Sequence, residues 1–509
     1  MSAAPKATRK DWIGLAVIAL PCLLYSMDLT VLYLAVPQLT ADMKPSATQL
    51  LWILDIYGFL VAGCLITMGT LGDRIGRRKV LLFGAAAFGI ASILAAFSTS
   101  AEMLIATRAL LGIAAATLAP STLSLIRNMF LDPEQRTVAI SIWATSFSVG
   151  GAIGPLVGGI MLEYFWWGSV FLIGVPVMAV LILVGPKLLP EFRDPNAGRL
   201  DIPSAALSIV AVLAIIYALK LIAADGPSPD ALMVLLGGLA TGGLFVRRQM
   251  KLADPLIDLA LFRNPAFCAA IATNMLSIFV AFSVFMFTSQ YLQLVLGLTP
   301  FVAGLWTVPS SLGFVAGSMG APYLLKAMKP ASAIAAGLVT SAAGLIILVG
   351  IDTPYGLAAL VVGSTIMALG LAPTVTLTTD LIMGIVPPER AGMASGLSET
   401  AAEFGGALGI AILGSFGLAI YRGQMTSSMP SGVPPEAAEA ARATLGAAMS
   451  AANRLPAPTG PDLLEAARGA FTHSLELTSI ICALIATAAA ILVVIVIRRA
   501  QPAQTQTDL

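Results

Sequence analysis

Charge is what this chain has least of. Of 509 residues, only 11% are Asp, Glu, Lys or Arg, 58% are hydrophobic, and mean hydropathy is +0.91. A soluble domain of this length cannot cover its surface with so few charges, which excludes that class and leaves a polytopic membrane protein. Histidine occurs once, as His473, at an expected helix end, so a histidine-rich metal set or an intramembrane nucleophile and base pair is not available. Neither an enzyme nor a metal site is expected. Cysteine is equally sparse. Cys22, Cys64, Cys268 and Cys482 all stand inside apolar runs and read as small core residues outside any disulfide framework. A GxxxxGK[ST] phosphate loop is missing, so ATP drive has no support and no cofactor is expected. Net charge of +1 points to no nucleic-acid partner.

What the chain has in abundance is long apolar runs. About 30 Å of hydrocarbon needs roughly 20 residues of helix. Fourteen runs satisfy that, over 12-36, 48-71, 79-98, 102-126, 137-161, 167-189, 204-224, 230-248, 267-292, 301-325, 331-351, 355-381, 391-421 and 473-498. The first run follows a basic start but extends past the length of a signal peptide's apolar core, so it is expected to stay as a mature span. Placing the N-terminus inside puts Lys6, Arg9, Lys10, the Arg74 to Lys79 turn, Arg247, Arg248, Lys251, Arg498 and Arg499 on one side of the membrane. Both termini are then expected to be cytoplasmic.

The chain also repeats itself. APSTLSLIRNMFLDPEQRTVAISIWATSFSVGGAIG from Ala119 aligns with APTVTLTTDLIMGIVPPERAGMASGLSETAAEFGGALG from Ala372. Pro120 matches Pro373, Glu134 matches Glu389, Arg136 matches Arg390, and Gly150-Gly151 matches Gly405-Gly406. The predicted organisation is therefore a six-helix bundle over 1-189, a linker with two inserted helices over 190-250, and a second six-helix bundle over 251-509. Segment 422-472, rich in Ala, Glu and Arg, is expected to form an extracellular helical hairpin over the outer vestibule.

Between the second and third runs lies GTLGDRIGRRK, Gly69 to Lys79. Its glycines, Gly69, Gly72 and Gly76, allow two helix ends to approach; Asp73 can accept hydrogen bonds from a neighbouring helix N-terminus; Arg74, Arg77, Arg78 and Lys79 hold the turn inside. The spacing resembles the signature loop between helices 2 and 3 of the major facilitator superfamily. LIATRALLGIAAA, around Arg108, resembles that family's fourth-helix motif, whose buried arginine serves proton coupling. GGAIGPLVGG, with Gly150, Gly154, Pro155 and Gly158, resembles the fifth-helix motif of proton-driven exporters, and MDLTVLYLAVP from Met27 resembles the first-helix signature of the fourteen-span drug:H+ antiporters. The resemblance implies an all-α major facilitator fold of two six-helix bundles plus two inserted helices. It also implies alternating access driven by the proton gradient, in a bacterial inner membrane.

Acids at membrane depth point the same way, since a carboxylate near the bilayer centre costs about 2.5 to 3.5 kcal/mol on insertion scales. Asp28, Asp55, Asp380, Glu399 and Glu403 are the candidates for proton coupling or cation binding. Asp28 reads as an isolated acid, Asp55 as an acid near Lys44, and Asp380 as half of an inter-half structural pair. Glu399 and Glu403, four residues apart, share one helix face and compete for protons. Their counterparts in the first repeat are Ala144 and Ser148, so the acids belong to one half only. Arg108 reads either as counter-ion to a carboxylate or as donor to backbone carbonyls. Tyr25, Tyr57, Trp143, Phe147, Phe285 and Trp306 are candidates for a cavity that stacks on flat cations. The expected function is proton-coupled efflux of lipophilic, mostly cationic small molecules by a monomer in the lipid bilayer. Export of one natural product or metabolite stays open as the alternative.

Overall fold

A computed structural model describes residues 5–45, 47–195, 200–226, 228–252, 255–352 and 355–500. Among them, fourteen helices are long and apolar enough to cross a membrane. Numbered spans 1 to 14, they are Arg9–Asp28, Trp52–Ile75, Arg77–Ala96, Ala101–Met129, Pro133–Tyr164, Ser169–Leu188, Ile202–Ile222, Pro229–Gln249, Pro265–Val295, Phe301–Ala327, Pro330–Gly350, Gly356–Ile385, Pro388–Ser427 and Thr459–Val496. The apolar runs of the sequence each become one of these. Several overrun the bilayer: the 40 residues of span 13 cover about 60 Å at 1.5 Å each, twice the hydrocarbon thickness.

Local chemistry sets the ends and breaks. Ser100, Asp132, Ser228, Asn264 and Thr299 cap their helices by accepting backbone N–H groups from the first turn. Span 4 is interrupted between Ala115 and Leu118. Pro120 has no N–H to offer the carbonyl of Ala116, which is the bond whose loss breaks a helix there.

Spans 1–6 and 9–14 form two bundles with matching internal contacts. Span 1 packs on spans 5 and 6, and span 9 packs on spans 13 and 14. Repeat-equivalent glycines do equivalent work in them. A Cβ on Gly150 would lie 2.1 Å from the Leu23 carbonyl of span 1, and one on Gly405 would lie 2.3 Å from the Met275 carbonyl of span 9. Only glycine permits backbones this close. The bundles meet where span 2 lies on span 13 and where span 5 lies on spans 10 and 12.

Spans 7 and 8 pair with each other, and span 7 also contacts spans 2 and 13, one from each bundle. Their basic ends are tied by Arg248, which donates to both oxygens of Asp201 at 2.7 and 3.0 Å. Those bonds hold the Asp201 carboxyl down at about 2.

Segment 422-472 is largely helical and packs on the second bundle. Pro435–Ala443 and Leu445–Ala452 are short helices separated at Thr444, and the rest of the segment from Thr459 is the first part of the unbroken span 14 helix. Ala441, Leu445, Ala448, Ala452, Leu463 and Ala467 share a buried cluster with Tyr291, Leu292, Ile351, Tyr421 and Met425. Tyr421 Oη donates to the Ala441 carbonyl at 2.8 Å. The segment is thus a cap built onto the second bundle.

Candidate coupling site and gate

At the basic end, Asp73 joins the two bundles. Its carboxylate accepts from Arg77 Nε and Nη2 at 2.8 and 2.7 Å. It also accepts from the backbone N–H groups of Gly392 and Met393 at 2.9 and 2.8 Å. These two N–H groups belong to the first turn of the helix Ala391–Ser427 in the opposite bundle, which has no acceptor of its own for them. Arg77, fully buried, continues across the seam to the carbonyls of Pro388 and Glu389 at 2.5 and 3.1 Å. Backbones touch as well. A Cβ on Gly69 would lie 2.2 Å from the Gly392 carbonyl, and one on Gly392 would lie 2.3 Å from that of Gly69. Gly76 has φ +119°, open to glycine, and Glu191 fills the space beside it.

A second latch lies between spans 5 and 12. Asp380 accepts from Arg136 Nε at 2.6 Å and from Thr137 Oγ1 at 2.7 Å. Arg127 Nε donates to the Met383 carbonyl at 2.7 Å. The basic end is therefore closed between the bundles by two sets of charge-assisted hydrogen bonds.

At membrane depth the acids sort into two kinds. Asp28 is not isolated: Arg108 Nη1 donates to it at 2.6 Å, with 1% and 12% of the two side chains exposed. Arg108 also donates to the Ile53 carbonyl at 3.2 Å and lies 4.7 Å over the Tyr57 ring. It is both counter-ion and backbone donor, because a buried guanidinium needs several acceptors. Asp55 pairs with Lys220 of span 7 and not with Lys44. No local pattern signals this pair, since span 7 meets span 2 only in the folded molecule.

Glu399 and Glu403 take part in no ion pair among the described residues. Tyr25 Oη donates to Glu403 Oε1 at 3.1 Å, linking span 1 to span 13. The Tyr25 ring stands 6.1 Å from Tyr57 and 5.7 Å from Phe147, which meets Trp143 at 4.9 Å. Trp143 Nε1 donates to Thr122 Oγ1 at 3.0 Å. The result is an aromatic wall bonded to the half-buried Glu403, with the half-buried Glu399 one helical turn away on the same span.

Phe285 and Trp306 stand apart, 62% and 39% exposed on spans 9 and 10, with no ring contact to that wall among the described residues. In span 5, a Cβ on Gly158 would meet Val31 Cγ1 at 2.5 Å, and Gly154 is buried. The side chain of Pro155 lies outside the described residues. In the turn, Gly72 has room beside Arg77, and Arg74 is half-buried. Arg136, Thr137, Arg127 and Lys220 were not singled out from sequence as site residues. The alignment of Arg136 with Arg390 and the inter-half pair expected at Asp380 were the available signals, and Arg390 proves to bind Asp258 at 2.5 Å within its own half.

Comparison with known proteins gives the same architecture. The multidrug efflux pump LfrA of Mycolicibacterium smegmatis is 43% identical over 97% of this chain and 98% of its own length. The methyl viologen resistance protein SmvA of Salmonella typhimurium is 35% identical over 92% of this chain and 95% of its own. The crystal structure of the human organic anion transporter MFSD10 superposes with a TM-score of 0.59, 14% identity, and coverage of 94% and 99% of the two chains. That likeness concerns the fold alone. Residues 18–410 match the Major Facilitator Superfamily. With two repeat-related bundles closed by a Gly-Asp-Arg turn, the chain belongs to the Major Facilitator Superfamily.

Proposed function

We propose that this protein is a proton-coupled antiporter that exports lipophilic, mostly cationic small molecules by alternating access. One observation carries the reading. Of the five candidate acids, three are held by the chain's own cations, and the remaining two, Glu399 and Glu403, lie one helical turn apart on span 13, with Glu403 bonded to the Tyr25 phenol across the seam between the bundles. A negative site without a fixed partner is available to a mobile one. The resistance and efflux roles named for LfrA and SmvA support the same reading.

In this cycle the basic end faces the cytoplasm, with both termini, in a bacterial inner membrane. The latches at Asp73 and Asp380 close the inner side while the site communicates outward. A proton arriving from outside neutralises the acid pair and releases the cation. Breaking the latches then opens the inner side, where proton loss restores the charge and the next cation binds; drug and proton compete for one site. The cap over 422-472 stands at the outer end of the second bundle and limits how far that end moves. The monomer suffices for the cycle, and no bound cofactor takes part.

The test is uptake of a panel of cationic dyes and antiseptics into inside-out vesicles with an acidic lumen. Uphill transport of several members, abolished by a protonophore, is the expected result. Transport that ignores the gradient would overturn the reading.

A further inference from the structure

Lys220 is a cation at the seam, carried by an inserted helix. Span 7 contacts spans 2 and 13, and so lies against both halves at once. The apolar contact is formed by Val212 and Ile216 with Phe59, Ala62, Phe404 and Ala407. One turn beyond Ile216, Lys220 pairs with Asp55 of span 2, and its ammonium lies 4.5 Å over the Phe59 ring. Glu403 of span 13 directly precedes Phe404, a member of that same contact, so it lies on the helix facing Lys220. The two acids within its field therefore sit in opposite bundles.

The Lys220 side chain is 42% exposed, and its flexible four-carbon stem can exchange one partner for another when the bundles rock apart. Glu403 is faced by the Tyr25 phenol of span 1, the Tyr57 phenol of span 2, Glu399 on its own helix and Lys220 of span 7. Lys220 is the one basic group among these.

We propose that Lys220 is a tethered competitor for the cargo: Asp55 holds it aside in the conformation described here, and in the opposite conformation it moves onto Glu403 and helps expel the bound cation. This rests on the cation-export reading above. It gives the inserted helices a task, namely to bring a flexible cation within reach of acids from both bundles. Lys220 would determine specificity, favouring cargo whose charge is held less firmly than its own.

The test is a double-mutant cycle on the purified full-length protein, with tetraphenylphosphonium as the probe. Lys220→Gln should tighten probe binding roughly five- to tenfold and slow its release, because the competing charge is gone. Lys220→Arg, which keeps the charge, should restore wild-type affinity. In the Glu403→Gln background, Lys220→Gln should change affinity less than twofold, since the acid through which it acts is absent. A purely structural role would give equal effects in both backgrounds and would overturn the proposal. Wild-type protein that binds no probe would overturn the cation-export reading itself, and binding indifferent to Lys220→Gln would overturn this inference alone.

Discussion

The phenol of Tyr25 and the carboxylate of Glu403 meet at 3.1 Å across the two bundles, at membrane depth. With the basic end latched and this bond in place, one conformation is stabilised at two levels of the same seam. Hydrogen bonds to charged groups contribute about 1.5 to 3 kcal/mol. Tyr25→Phe should therefore shift the balance toward the opposite conformation by roughly tenfold or more. Spin-label distances between the basic ends of spans 5 and 12 would reveal the change as a longer component. An unaltered distance distribution would show that the bond does not bias the conformation.

Asp28 and Arg108 are a different case, a buried pair within one bundle. Removing one partner of such a pair leaves an uncompensated charge, at a cost of about 3 to 5 kcal/mol. Asp28→Asn should lower thermal stability in detergent as well as efflux, whereas Asp28→Asn with Arg108→Gln should recover much of the stability and none of the transport. Wild-type stability in the single variant would contradict the pairing.

The sequence told the number of helices, their order and the twofold repeat, because each depends on a local property: hydropathy over about twenty residues, or identity along the chain. It also made the chemistry of Asp73 legible, since a conformationally open turn with an acid and arginines has few other uses. It pointed to an inter-half pair at Asp380 without naming Arg136 as the partner, and it did not reveal that Asp28 and Asp55 are paired. Arg108, Lys220 and Arg136 lie 80, 165 and 244 residues from those acids, and such pairs arise only when helices from distant parts of the chain are packed. The cap over 422-472 was half legible: its helical composition showed, but its docking on Tyr421 and Met425 depends on surface that exists only after the second bundle forms.

On the export reading, the latch at Asp73 is expected to govern motion without touching cargo. Asp73→Asn weakens four hydrogen bonds to Arg77, Gly392 and Met393, and Gly392→Ala places a methyl within 2.3 Å of the Gly69 carbonyl. Both variants should depress turnover at least tenfold while altering cation affinity less than threefold. Steady-state efflux and equilibrium binding on reconstituted protein separate the two quantities. Lost affinity with unchanged turnover would place the turn in the binding site.

The central claim is that Glu399 and Glu403 exchange protons for cargo. Proton release on adding tetraphenylphosphonium to the purified protein in weakly buffered solution, followed from pH 5 to 9, measures that exchange directly. Wild type should release protons over part of this range. Glu399→Gln and Glu403→Gln should each release fewer, and the double variant should release none and fail to drive uphill export. A double variant that still releases protons and still exports against a gradient would contradict the account and move coupling to Asp28 or Asp55.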